Sequence, residues 1–124
     1  MNPSAWVVFL VAAGIGATSR YLLDGWVQDR TRGAFPWGTF TVNVSGCVLL
    51  GVLTGLGLYH DLDTTTSTVL GTGGLGAYTT FSTFTFETIR LAEEGALDQA
   101  FRNAAASVLV GLAAASAGLA LTAR

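Results

Sequence analysis

Four stretches of this chain carry no charged side chain: Met1 to Ser19, Gly33 to Tyr59, Thr64 to Phe86 and Asn103 to Ala123. Each is close to the ~20 apolar residues that a helix needs to cross a bilayer. The charges gather between them, at Asp24 to Arg32, His60 to Asp63 and Glu87 to Arg102. A soluble helix would instead carry charge along one outer face. The pattern predicts an all-α integral membrane protein with helices over roughly 4–23, 37–59, 66–90 and 100–122 of a single domain spanning 1–124. A cleaved signal peptide is the weaker reading of the first stretch: no Lys or Arg precedes it, and three further spans would remain.

Composition agrees. Only 11% of residues are charged, against about 25% in an average soluble domain. Six arginines, no lysine and a net charge of −2 give no reason to expect nucleic acid as a partner. The single cysteine, Cys47, forms no intrachain disulfide and reads as a small hydrophobe. Small residues recur at spacing four, as Gly51 with Gly55, Ser107 with Gly111 and Ala114 with Gly118. That spacing lets membrane helices approach closely. Pro36 and Trp37 mark the start of the second helix. Trp6, Trp26, Trp37 and Tyr59 lie near span ends, where interfacial aromatics collect.

The densest signal is GTGGLGAYTTFSTFTFE, residues 71–87. Gly71, Gly73 and Gly76 satisfy a dinucleotide fingerprint, with Glu93 downstream. The apolar spans leave no chain for the parallel sheet that fingerprint needs. Each glycine costs a helix roughly 1 kcal/mol relative to alanine. Gly71, Gly73, Gly74 and Gly76, followed by Thr79 and Thr80, are thus a poor sequence for an unbroken helix, and a broken third helix is expected, with freed carbonyls able to hold a cation. Beyond it, Phe81 and Phe84 share a helix face, and Thr80, Thr83 and Glu87 line an adjacent stripe. A phenylalanine ring has a positive edge. Such edges beside hydroxyl donors would pass a small anion without trapping it. Lipid-facing or core phenylalanines remain the competing reading of that spacing.

Four segments resemble the Fluc (CrcB) family of fluoride channels: GIGATSRY (14–21), GTFTVNVSG (38–46), GGLGAYTTFSTF (73–84) and, less specifically, NAAASVLVGLAAASAG (103–118). The resemblance covers nearly the whole chain in order. It implies a fluoride-specific channel giving passive fluoride export across the cell membrane, which lowers fluoride toxicity in the cytoplasm. It implies an antiparallel, dual-topology-type dimer with two pores. It also implies a structural Na+, not transported, on the main-chain carbonyls of Gly76 and Thr79. The ion pathway then maps to Asn43, Phe81, Phe84, Ser82, Thr83 and Ser107, with Glu87 near the pore end. Arg20 matches the family's first-helix arginine; its own chemistry suits a functional role or an interfacial anchor equally. Some members carry tyrosine where this chain has Asn103, which affects the outer part of the pathway. Fluoride rather than chloride follows from the resemblance alone.

The same residues admit other readings. Asn43 needs a partner inside an apolar span. Glu87 also suits a solvated helix end, and Thr39, Thr41 and Ser45 suit bonds within their own helices. His60, beside Asp61 and Asp63, reads as a solvated loop residue with no metal. A small proton-coupled multidrug exporter has four short spans too, but needs an embedded carboxylate, and Ala5 to Leu23 has none. A non-transporting membrane subunit is the third reading. No nucleophile–base pair supports an enzyme. Finally, loops one and three carry Arg30, Arg32, Arg90 and Arg102, against Arg124 on the other side. This asymmetry suggests one fixed orientation, both termini outside, and a related subunit of opposite bias; a homodimer of a dual-topology chain is the alternative.

Overall fold

The computed structural model describes every residue from Met1 to Arg124. Helix α1 spans Pro3–Arg30 and α2 spans Trp37–Tyr59. The third region is segmented: α3 at Thr64–Thr68, a π-helical turn at Val69–Leu75, α4 at Gly76–Tyr78, an extended gap, then α5 at Ser82–Glu93. Helix α6 closes the chain at Leu97–Thr122. Helices α1, α2 and α6 are each long and apolar enough to cross a bilayer.

Local chemistry sets the helix ends. Asn2 caps α1 by accepting the Ala5 N–H at 2.8 Å, with Pro3 in the first turn. Asp63 caps α3 through the Thr66 N–H at 2.8 Å. Gly95, at φ +83°, ends α5, with Ala96 N–H returning to Leu91 O and Gly95 N–H to Ala92 O. That is the Schellman pattern, which turns the chain back into α6.

Packing is thin by soluble standards. Only 18 of 124 residues are buried, while Trp6, Leu10, Ile15, Leu22, Leu109 and Leu112 point outward. A surface this apolar suits hydrocarbon, not water. The main seam joins α2 to α6. A Cβ on Gly51 would strike the Ala115 carbonyl, and one on Gly118 would strike Val48 O. One on Gly55 would strike the Thr122 hydroxyl. The small residues at spacing four thus lie where the two backbones approach.

Two expectations change. Helix α1 runs to Arg30 rather than stopping near residue 23, so Asp24 belongs to the helix and is half-buried. The glycine run does not break the third helix. It stays wound, with Gly74 O seated against Gly16 of α1 and Gly73 against Phe9. The glycines let α1 come close; the gap falls later, at Thr79 to Phe81.

Candidate functional site

The gap is made by side chains from neighbouring helices. Thr79 is the last residue bonded backward, with N–H to Leu75 O at 2.9 Å, and its own backbone is extended at ψ 161°. In an unbroken helix the Thr80 N–H would return to Gly76 O. Here it donates to Asn43 Oδ1 at 2.8 Å, and Asn43 Nδ2 donates to Thr80 O at 2.8 Å. Arg20 Nη1 donates to Thr79 O at 3.4 Å. The Thr79 carbonyl and the Thr80 N–H belong to one peptide unit. That unit is therefore held from α1 by Arg20 and from α2 by Asn43. Gly46 makes room for it, since a Cβ there would meet Thr79 Cγ2.

The gap leaves two helix ends of opposite character. The α4 end presents carbonyls, with Gly76 O released by Asn43. The α5 end presents amides, and Thr80 Oγ1 caps it by accepting Thr83 N–H at 3.1 Å. Carbonyl ends favour cations and amide ends favour anions.

A groove of about 410 Å³ runs beside the gap, lined in part by Asn43, Gly76, Thr79, Phe81, Phe84 and Ser107. Residues distant in sequence thus meet on one wall. The Phe81 and Phe84 rings lie 6.1 Å apart between centroids, and Phe81 is 77% exposed. Asn43 spends one of its two N–H bonds on Thr80 and keeps the other. Ser107 Oγ lies 3.4 Å from Asn103 Oδ1, a long bond that leaves its proton free to rotate. Asn103 is fully buried and donates to Thr88 Oγ1 at 2.8 Å, while Thr88 Oγ1 donates to Phe84 O at 2.7 Å. This relay ties α6 to α5 below the groove.

Other predicted residues lie elsewhere. Thr83 lines a small polar pocket with Arg20, Asp24, Thr39 and Thr80. Ser82 is exposed, with its hydroxyl 3.4 Å from that of Thr80. Glu87 is half-buried; Thr39 Oγ1 donates to its Oε1 at 2.9 Å, and its Oε2 has no partner. Glu87 is thus no free solvated end, and Thr39 bonds across helices rather than within its own. Ser45 both donates within α2, to Val42 O, and meets Tyr78 OH at 2.7 Å. His60 is exposed, its Nε2 2.8 Å from Thr122 O.

Sequence reasoning missed two participants. Asp24 lay in an apparent loop, yet its buried Oδ1, without a hydrogen-bond partner, packs over Gly38. With this carboxylate inside α1, the first span is not free of acids. Tyr78 gave no signal beyond being an aromatic next to threonines.

The family model described as "CrcB-like protein, Camphor Resistance (CrcB)" matches residues 7–119. The chain is 48% identical over 114 residues to "Fluoride-specific ion channel FluC 1" of Streptomyces avermitilis, covering 92% of each chain. It is 46% identical to the protein of the same name in Rubrobacter xylanophilus, covering 95% of this chain and 93% of the relative. "Fluoride-specific ion channel FluC 2" of Mycobacterium tuberculosis is 45% identical, covering 95% and 90%.

Proposed function

This chain belongs to the CrcB family, and from that premise we propose that it is a fluoride-specific channel of the cell membrane, releasing fluoride passively from the cytoplasm. The observation that carries the reading is the groove that brings Asn43, Phe81, Phe84 and Ser107 together beside the gap. A strongly hydrated anion needs donors to replace its water, without a full charge that would hold it. The spare Asn43 N–H, the rotatable Ser107 hydroxyl and two ring edges supply that. Nearly full relatives named as fluoride-specific channels give the anion's identity. They also remove the exporter reading, despite Asp24.

The groove is open, and Phe81 stands on its rim. We propose that a second chain, antiparallel, closes it, and that the segment from α3 to α5 makes the fourth crossing. The partner is a second copy or a related subunit, as the arginine asymmetry suggests. The released carbonyl of Gly76 and that of Thr79 fit a structural Na+: both are uncharged oxygens at a helix C-terminal end, and each keeps a lone pair. Bound there, Na+ would neutralise the carbonyl end of the gap. Asn43 and Arg20 orient the peptide that carries one of these oxygens.

The test is efflux from liposomes holding fluoride or chloride. Rapid passive fluoride release with little chloride release is expected. Equal release of both, or release only under a proton gradient, would refute the reading.

A further inference from the structure

Arg20 raises a question that the channel reading leaves open. Its guanidinium is half-buried and lies on the Thr79 carbonyl at 3.4 Å. No carboxylate lies within ion-pair distance of it: the one ion pair in the chain is Arg90 with Glu94, and Asp24, one helical turn on and lining the same pocket, makes no direct pair with Arg20. An unpaired cation thus shares an oxygen with the place where a structural cation would bind. Guanidinium is never deprotonated in proteins, so this charge is permanent.

We propose that Arg20 is a positioning and selectivity residue for the cation at the gap: it aims the Thr79 carbonyl while its charge keeps divalent ions out. The inference rests on the sodium reading above. Like charges near a shared oxygen repel in proportion to the incoming ion's charge. If the repulsion weakens Na+ binding by some factor, it weakens Ca2+ binding by about the square of that factor. Ca2+ otherwise favours carbonyl oxygens strongly, so a neutral cradle of this kind would select the wrong ion. A residue that only anchored α1 at the interface would have no reason to reach a backbone carbonyl inside the fold.

The experiment uses the purified full chain in detergent, with retention of radiolabelled Na+ or Ca2+ and the shift in unfolding midpoint on adding each chloride salt. The unmodified chain should bind Na+, and Ca2+ in large excess should not displace it. Arg20→Gln keeps a donor but removes the charge. It should bind Na+ about tenfold more tightly and gain Ca2+ binding by about a hundredfold, following the scaling with charge. Arg20→Lys should keep the original preference. Ready displacement of Na+ by Ca2+ in the unmodified chain would overturn the proposal, and needs no variant. So would an unchanged preference in Arg20→Gln. If neither the unmodified chain nor Arg20→Gln binds any cation, the sodium reading itself fails, an outcome distinct from the other two.

Discussion

The α2–α6 seam and the gap between α4 and α5 are held together by opposite means. At the seam, backbone meets backbone because Gly51, Gly55 and Gly118 have no side chain to intervene. Close backbone approach dominates, and polar contacts gather at one end, where Thr122 Oγ1 lies 3.4 Å from Val52 O and His60 Nε2 2.8 Å from Thr122 O. At the gap, a helix has been opened, and Asn43 and Arg20 supply the hydrogen bonds that the backbone gave up. The seam brings two backbones into direct contact; the gap presents carbonyls, amides and rings. Irregular backbone at membrane depth is tolerated where neighbouring helices satisfy its polar groups, as α1 and α2 do at the gap.

The largest effect is expected at the seam. Gly118→Leu drives a side chain into Val48 O and the Val52 amide, neither of which can move aside cheaply. Overpacking of this kind costs about 1–3 kcal/mol or more. Loss of monodisperse protein on size-exclusion chromatography is expected. Gly57→Leu, where nothing lies within 4 Å, should leave the profile unchanged. A tolerated Gly118→Leu would show that the seam is looser than described.

At the gap, Asn43→Ala removes both bonds to Thr80. A buried polar group left without its partner costs about 1–3 kcal/mol. The unfolding midpoint should fall clearly and fluoride flux should be lost, while Asn43→Asp, which keeps only the acceptor, should lie between. Thr39→Val should have a smaller effect, since it removes one bond, to Glu87 Oε1. A drop in midpoint about half that of Asn43→Ala is expected; a larger one would move the centre of the polar framework from the gap to Glu87.

The smallest effect concerns pH, at a loop outside both regions. The Thr66 backbone N–H, and further bonds from Thr66, hold the Asp63 carboxyl below its ordinary range. A lowered folded value means that the cap contributes above the unfolded pKa, near ~4, and is lost as pH falls through the folded value. The protection factor of the Thr66 amide, its exchange rate corrected for the intrinsic pH dependence, should fall only in that acid window. Asp63→Asn should abolish the pH dependence while leaving flux unchanged.

How much of this was visible in the sequence follows the same division. The charge-free runs and the spacing of Gly51 and Gly118 announce helices and their close approach, because both are one-dimensional patterns. Phe81 and Phe84 were visible as a shared face for the same reason. The gap was legible in outline, as a poor helix running from Gly71 through Thr80, but its exact place was not. Glycine cost pointed to residues 71–76, but neighbouring helices compensate glycines by packing against them, as Gly16 does against Gly74. The true gap depends on Asn43 reaching Thr80 across 37 positions, and a partner that distant leaves no local trace. The roles of Thr39 and Asp24 were hidden likewise: one bonds to Glu87 across helices, and the other lay in a helix longer than its apolar run.

The account turns on the groove at the gap being the anion's path. Fluoride efflux through Phe81→Ile and Phe84→Ile, reconstituted at equal protein density, tests this most directly. Isoleucine keeps apolar bulk but removes the positive ring edge that faces the anion, and each ~1.4 kcal/mol lost at the barrier is tenfold in rate. The account predicts about a tenfold fall or more in each variant, with size-exclusion profiles matching that of the unmodified chain. Near-normal fluoride efflux in both would contradict it.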